Sequence, residues 1–159
     1  HPEDAGQLRA NFRGEARVAV HHRDGYEALP ALVPPPERRG LVLIDPPYEA
    51  RDEADRAGQA LVAAVRKWAT GIYAVWYPVK DDTIGRTIAA HLRRAGIANC
   101  LRAEFLRFAV DGVRLAGGGM VFVNPPWQFD TDLARVGRAL ARVFGPPAGV
   151  DVRWLTPPA

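Results

Sequence analysis

The motif Asp45-Pro46-Pro47-Tyr48 places a carboxylate, two prolines and an aromatic ring next to one another. A carboxylate and a backbone carbonyl can each accept one N–H of an exocyclic aromatic amine, which aims the nitrogen lone pair at an electrophilic carbon. We expect Asp45 to supply the carboxylate and Pro46 the carbonyl, because a Pro-Pro turn keeps that carbonyl out of a strand ladder. Tyr48 is expected to stack on the base, with Pro47 as a second substrate contact.

The electrophile predicted for such an amine is the sulfonium methyl group of S-adenosylmethionine, transferred directly without a metal ion or a covalent intermediate. Asp45 would then also contact this cofactor. An aspartate before two prolines is equally common as a plain turn residue at the end of a strand. The apolar run Leu41-Val42-Leu43-Ile44 before the motif and the ring of Tyr48 after it favour the functional interpretation.

A second motif of the same kind, Asn124-Pro125-Pro126-Trp127, follows the apolar residues 120–123. The side-chain carbonyl of Asn124 can accept an amine hydrogen bond as Asp45 can. Only one of the two motifs can be the transfer site. Because Asn124 follows the last main strand, far along the chain from the predicted cofactor loop, we expect it to be a structural end of the sheet that also lines the pocket.

The pair Asp24-Gly25 is the candidate cofactor-binding loop. An aspartate at the end of the strand before that of Asp45 can accept a hydrogen bond from the N6 amine of the cofactor's adenine. Gly25 would let the backbone approach the ligand closely. The same pair is typical of an ordinary turn or a helix cap, and from the residues alone both interpretations stay open.

Periodicity and helix-breaking residues predict helices that alternate with strands. Helices are predicted at 2–12, 26–32, 52–69, 83–94 and 131–144. Strands are predicted at 17–21, 41–44, 72–77, 99–110 and 120–123, with 150–154 as a short strand or tail. We expect 41–44 to be buried on both faces, since a continuous apolar run is typical of a strand inside a parallel sheet.

This order predicts an α/β fold with a doubly wound, mostly parallel sheet. Asp111-Gly112 between the last two main strands is a strong turn signal, which adds an antiparallel hairpin at one edge. A parallel sheet with such a hairpin matches the Rossmann-like class I methyltransferase architecture. We expect residues 1–159 to form a single domain.

Amino-acid composition restricts the possible functions less than the motifs do. The 21 basic residues exceed the 18 acidic ones by three, yet only Lys67 and Lys80 are lysines, and an Arg-, Ala-, Gly- and Pro-rich chain can reflect codon bias. The single Cys100 excludes an intrachain disulfide. No apolar run approaches the ~20 residues needed to span a bilayer. We therefore expect a soluble, cytoplasmic monomer without a membrane contact.

Four segments together resemble the RlmJ-type bacterial enzymes. They are residues 21–26 (HHRDGY), 34–49 (PPPERRGLVLIDPPYE), 71–78 (GIYAVWYP) and 124–127 (NPPW). That family methylates N6 of an adenine in 23S ribosomal RNA with S-adenosylmethionine. The resemblance implies that Asp45 orients the amine, that Asp24 and Gly25 contact the cofactor, and that ribosomal RNA is the partner.

The resemblance covers only the family's carboxyl-terminal portion. The first strand with its cofactor loop, the acidic residue that holds the ribose and an inserted helical RNA-binding subdomain have no counterpart, so we expect the sheet to lack its first strands. Residues 1–159 alone are then expected to bind the cofactor weakly and to be inactive. Two alternatives stay open: a non-catalytic binding or scaffold module, and a DNA adenine-N6 methyltransferase. Arg51, Arg86, Arg93 and Arg94 are candidate phosphate contacts, although arginines on helix faces are more often simply solvated.

Overall fold

Helices and strands alternate around one five-stranded sheet in the computed structural model, which describes residues 2–37 and 39–158. The strands are β1 (Leu41–Ile44), β2 (Ile72–Val79), β3 (Cys100–Leu106), β4 (Gly117–Val123) and β5 (Gly149–Thr156). The helices are α1 (Pro2–Asn11), α2 (Gly25–Leu32), α3 (Glu53–Lys67), α4 (Thr83–Arg94) and α5 (Phe129–Phe144). No helix of these two ranges is both long and apolar enough to cross a bilayer.

The sheet has the order β1-β2-β4-β3-β5. β1 and β2 are parallel, as expected for strands joined by a helix, and every other pairing is antiparallel. The α/β class is confirmed, but the sheet is mixed rather than mostly parallel. The predicted β3–β4 hairpin is present. It lies inside the sheet rather than at its edge, because β5 pairs with β3 and forms the outer strand.

One face of the sheet is covered by α3 and α4. Their apolar stripes repeat at helical spacing, as Leu61 and Val65 do on α3 and Ile88 and Leu92 do on α4, and all four side chains are buried. They pack on the alternate residues of the two central strands, which are Tyr73, Val75, Tyr77, Val121 and Val123. This layer forms the larger core of the molecule.

In the part of the chain that the structure describes, α5 covers one half of the opposite face. Phe129 and Leu133 of α5 pack on Ala74, Leu101 and Phe122, on the side of the sheet near β5. Gly117, Gly118 and Gly119, expected before the strand, belong to β4 itself. A side chain at position 119 would collide with the ring of Tyr77, so the glycine leaves room for this buried tyrosine.

The expectation that residues 41–44 are buried on both faces is wrong. Val42 and Ile44 pack against the main core, but Leu41 and Leu43 on the other face are 65% and 64% exposed. In the described ranges no strand pairs with the outer side of β1 and no helix covers Leu41 and Leu43. β1 is therefore an edge strand with one covered face.

The predicted strand at 17–21 is also wrong, since these residues form turns and irregular backbone. An extended segment becomes a strand only when a neighbouring strand accepts its hydrogen bonds, and no sheet edge of the described chain pairs with it.

Pro78 does not end β2, which continues to Val79. The register places Pro78 beyond the last residue paired with β1, at an edge position that tolerates proline.

Candidate active site

Asp45 lies at the carboxyl end of β1, where the chain leaves the sheet. Pro46 is buried and forms the base of the turn, whereas Asp45 and Pro47 are exposed. In the described ranges no hydrogen bond is donated to the Asp45 carboxylate or to the Pro46 carbonyl. Both acceptors predicted to hold an amine are thus free to receive one.

Tyr48 closes the turn in a fixed position. Its hydroxyl donates to the carbonyl of Trp76 on β2 at 2.7 Å, and its ring packs edge-to-face on the Trp76 indole with 6.2 Å between centroids. Its φ of 53° is unusual for a residue with a side chain, and these contacts compensate for the strain. Burial raises the pKa of the Tyr48 hydroxyl, so the residue stays neutral. The half-buried ring is held against β2, and its stacking on a base stays a prediction.

Asp24 is the N-cap of α2, as the helix-cap interpretation predicted. Its Oδ1 accepts from the Tyr26 N–H at 2.8 Å, and its Oδ2 accepts from Arg56 Nη2 at 2.7 Å. The Tyr26 N–H, together with Arg56, lowers the pKa of this carboxyl. Each carboxylate oxygen has a second lone pair, so Asp24 can still accept a hydrogen bond from a ligand while it caps the helix.

The Asp24 loop and the Asp45 turn border the same cavity of about 630 Å³, which is within the size range of small-molecule sites. Its walls are largely apolar and include Leu29, Leu32, Val42, Ile44 and Pro46. Gly25 also borders it, and a Cβ at this position would meet no protein atom within 4 Å. The space beside the Gly25 backbone is therefore open to a ligand, and its contact with a cofactor stays a prediction.

Glu53, Arg56 and Tyr26 line this cavity as well, and the sequence patterns did not predict them. The Tyr26 hydroxyl donates to Glu53 Oε1 at 2.6 Å, and the Arg56 guanidinium lies 4.6 Å from the centre of the Tyr26 ring. Glu53 is only 5% exposed. These contacts join α2 to α3 across one wall. The available signal was that a helix starts a few residues after the Asp45 turn, so its first turn must lie near the site.

Charges at the cavity suit a cation or a ligand rich in N–H donors. Asp24, Asp45 and Glu53 contribute three carboxylates, and Arg23 and Arg56 contribute two guanidinium groups. Arg56 is engaged by Asp24, which leaves Asp45 as an exposed carboxylate on the rim. Apolar walls with two exposed carboxylates among the lining residues fit a flat, amine-bearing ring attached to a positively charged group.

Asn124 lies at the opposite end of the sheet from Asp45. β4 is antiparallel to β2, so the end of β4 pairs with the beginning of β2, where Val123 is opposite Tyr73. Asp45 follows Ile44, which is opposite Val75. The Asn124 side chain donates to the carbonyls of Ala69 and Gly71 at 2.8 and 2.9 Å. Its role as a structural end of the sheet agrees with the prediction, but it does not line the cavity.

The remaining candidates have separate places. His21 borders the cavity, next to Arg23. Of the basic residues proposed for phosphate contact, Arg86 pairs with Asp82 and Arg94 donates to the carbonyl of Ala90 on its own helix. In the described ranges no group of three or more His, Cys, Asp or Glu side chains is arranged to hold a metal ion.

Comparison with known proteins decides the family. Residues 1–156 match the family described as "Ribosomal RNA large subunit methyltransferase D, RlmJ". The chain belongs to the RlmJ family. It is 38% identical over 160 residues to "Ribosomal RNA large subunit methyltransferase J" of Haemophilus influenzae and 35% identical over 162 residues to the Escherichia coli protein of the same name.

These RlmJ relatives are longer than the matched region. Each alignment covers 99% of this chain and 57% of the relative. A crystal structure of a Legionella pneumophila protein, assigned to the family DUF519, superposes with a TM-score of 0.86 at 31% identity. That superposition covers 97% of this chain and 58% of the Legionella protein. The chain therefore spans somewhat more than half the length of the RlmJ relatives it matches.

Proposed function

We propose that this protein transfers a methyl group from S-adenosylmethionine to N6 of an adenine in large-subunit ribosomal RNA, in the cytoplasm. The observation that carries the proposal is that the Asp45 turn and the Asp24-Gly25 loop border one cavity. Two carboxylates at separate places on its rim can serve two different amines, one of the cofactor and one of the substrate. The names of the RlmJ relatives supply the substrate class.

Residues of this chain fit the cofactor in three ways. Asp24 offers an acceptor for the adenine amine beside the open backbone of Gly25. The apolar wall that includes Leu29 and Ile44 suits the faces of the adenine ring. The cofactor would supply an electrophilic methyl group on a positively charged sulfur, and the exposed Asp45 carboxylate near the cavity favours a positive charge there.

Asp45 and Pro46 are proposed to orient the acceptor amine. With one N–H bound to the carboxylate and the other to the Pro46 carbonyl, the nitrogen lone pair points away from both and towards the methyl group. The bound cofactor would supply the methyl group to this nitrogen, and Asp45 would hold the N–H whose proton the nitrogen gives up. Tyr48, fixed by its bond to Trp76, is proposed to support the target base, with Pro47 beside it.

The test is Asp45→Ala in the complete protein as its gene encodes it, assayed by transfer of labelled methyl groups to large-subunit ribosomal RNA. Loss of a charged hydrogen bond and of the amine's orientation is expected to reduce the rate about 100-fold or more. Binding of S-adenosylhomocysteine, measured by calorimetry, should change little. Mass spectrometry of the digested RNA identifies the methylated atom.

Asn124→Ala is the matched control, since it alters the first residue of the other Pro-Pro motif. It should leave the rate per folded molecule unchanged. Survival of methyl transfer in Asp45→Ala would contradict the role of Asp45. A product other than N6-methyladenine would contradict the proposed acceptor atom.

A further inference from the structure

The loop between β3 and β4 carries basic and apolar side chains that the proposed reaction does not use. Arg107, Phe108, Val113 and Arg114 belong to this loop, and Lys80 lies beside it at the end of β2; we call these five residues the rim surface. Val113 is 81% exposed and Phe108 is 37% exposed. Large apolar side chains interleaved with cations on one exposed surface call for a physical explanation.

Strand direction places the rim surface and Asp45 at the same end of the sheet, where β1, β2 and β3 have their carboxyl ends. β3 runs antiparallel to β4, and β4 antiparallel to β2, so β1, β2 and β3 all point the same way. Asp45, Lys80 and Arg107 each follow the last residue of one of these strands. The sequence patterns indicated only arginines on helices and at the Asp45 turn as phosphate contacts. They did not reveal this cluster, because the shared location of the three strand ends depends on how the strands pair.

The rim surface is displaced from Asp45 in two directions, across the sheet and along the strands. Three strand spacings of about 4.8 Å separate β1 from β3, or about 14 Å across the sheet. Ile44 is level with Val75, whereas Leu106 and Val79 are both paired with Gly117, four residues further along β2. That offset is about 13 Å along the strands, at right angles to the first distance, so the two places are about 19 Å apart. A stacked strand at ~3.4 Å per nucleotide would connect the two places with roughly six nucleotides.

The loop is ordered by its own hydrogen bonds. Ala116 donates to the Val79 carbonyl at 2.7 Å and accepts from the N–H groups of Arg107 and Phe108. Asp111 Oδ1 accepts from the N–H groups of Val113 and Arg114, both at 3.0 Å. The rim surface is thus held in place before any partner binds, which lowers the entropy cost of binding.

Two guanidinium groups stack on the Phe108 ring, with Arg107 4.9 Å and Arg114 4.7 Å from its centre. Arg107 also lies 5.6 Å from the ring of Phe144 on α5. A guanidinium that rests on an aromatic face keeps its N–H edges free to donate to phosphate oxygens. Exposed rings and apolar side chains next to such groups are the means by which proteins bind unpaired bases and their backbone.

The local carboxylates offset only part of this positive charge. Asp81 accepts from the Thr83 N–H, Asp82 pairs with Arg86, and Asp111 pairs with Arg114. Within residues 2–37 and 39–158, neither Arg107 nor Lys80 is in an ion pair. Arg107 and Lys80 therefore present cationic groups that are free to contact phosphate, at the end of the strands that holds Asp45.

From these observations we infer that the rim surface binds a single-stranded segment of the RNA substrate a few nucleotides from the target adenine. This inference rests on the proposed function. It adds an RNA-binding surface that lies outside the Asp45 turn. Arg107 and Lys80 contact phosphates, and Phe108 and Val113 contact bases or riboses.

The test compares the double variant Arg107→Ala/Arg114→Ala with Arg66→Ala/Arg138→Ala in the complete protein. The control removes the same charge from exposed positions on α3 and α5. Affinity for a fluorescein-labelled single-stranded RNA is measured over a series of salt concentrations. The rim variant should bind about tenfold more weakly, and its slope of log affinity against log salt should fall by about one. The control should bind like the unaltered protein.

Val113→Glu is a second variant that leaves every loop hydrogen bond in place and should also weaken RNA binding. All variants should bind S-adenosylhomocysteine normally, and the KM for RNA should rise while kcat is retained. Equal weakening by both double variants, or normal binding by the rim variants, would overturn the inference and leave the proposed function standing. If the unaltered protein binds no RNA, the proposed function fails and the inference with it.

Discussion

The chain contains two turns of the pattern Asp/Asn-Pro-Pro-aromatic, and they have opposite surroundings. The carboxylate of Asp45 is exposed beside a cavity and accepts no hydrogen bond from the described residues. The amide of Asn124 donates to two backbone carbonyls of the α3–β2 connection and lies 3.4 Å from the Asn99 amide. In the first turn the aromatic residue, Tyr48, is held by Trp76, whereas Trp127 of the second is 86% exposed.

Strand direction accounts for this difference. Each turn ends a strand, but β4 runs opposite to β1 and β2, so the two turns lie at opposite edges of one sheet. Asp45, at one end of the sheet, is left available to a ligand. Asn124, at the other end, hydrogen-bonds to the connection between α3 and β2. A four-residue motif thus indicates a function only after the direction of the preceding strand is known.

Asn124→Asp should give the largest loss of stability. The new carboxylate has no N–H to donate to the Ala69 and Gly71 carbonyls and would repel both, at a cost of about 3 kcal/mol or more in the free energy of unfolding. Urea unfolding measures this cost. A variant as stable as the unaltered protein would mean that the two turns do not differ in structural role.

Asp45→Asn makes the reverse exchange and tests whether charge matters at the first turn. The amide oxygen can still accept an N–H, but a neutral acceptor binds about 1.4 kcal/mol more weakly than a charged one, which corresponds to roughly tenfold in rate. Methyl transfer should therefore fall less than in Asp45→Ala, with unchanged urea unfolding. Equal losses in the two variants would show that acceptance of a hydrogen bond is not the role of this side chain.

Asp24→Asn should have the smallest effect. It removes the negative charge of this side chain but keeps its hydrogen bond to the start of α2, so it distinguishes the two contributions to stability. Because the Tyr26 N–H and Arg56 lower the pKa of Asp24, its charge stabilises the fold above the unfolded pKa of about 3.9, and this contribution disappears as pH falls through the lower folded value. Asparagine keeps the helix cap. Thermal midpoints of the two proteins should differ at pH 6, and the difference should shrink steadily as pH falls below about 4. A difference that stays constant from pH 6 to pH 3 would assign the effect to something other than charge.

Local patterns predicted the helices well. The spacing of Leu61 and Val65 on α3, and of Ile88 and Leu92 on α4, determines which side of each helix is buried, and Asp24 was recognisable as a possible cap. These features depend on residues a few positions apart. The expected site residues Asp24, Gly25 and Asp45 also meet at one cavity, because each lies near the same edge of the sheet.

Features that depend on distant pairing were predicted poorly. Residues 17–21 have the composition of a strand but no strand beside them, and Leu41 and Leu43 have the composition of a core but no covering layer in the described chain. The position of Asn124 was predictable from the Asp111-Gly112 turn, since a hairpin reverses chain direction and sends the next strand to the opposite edge. The start of a helix soon after the Asp45 turn placed Glu53 near the site, but its burial was not predictable locally, because it arises from contact with Tyr26 on another helix.

The open side of β1 also has a thermodynamic consequence. Among residues 2–37 and 39–158, the four-residue strand that carries Asp45 hydrogen-bonds to β2 alone, so its local opening should require less free energy than opening of β4 between its two neighbours. A ligand that fills the cavity would contact Val42 and Ile44 and stabilise the closed strand by mass action. Occupancy of the site and order of the strand that supports it are thereby linked, and slower amide exchange in β1 would report binding directly.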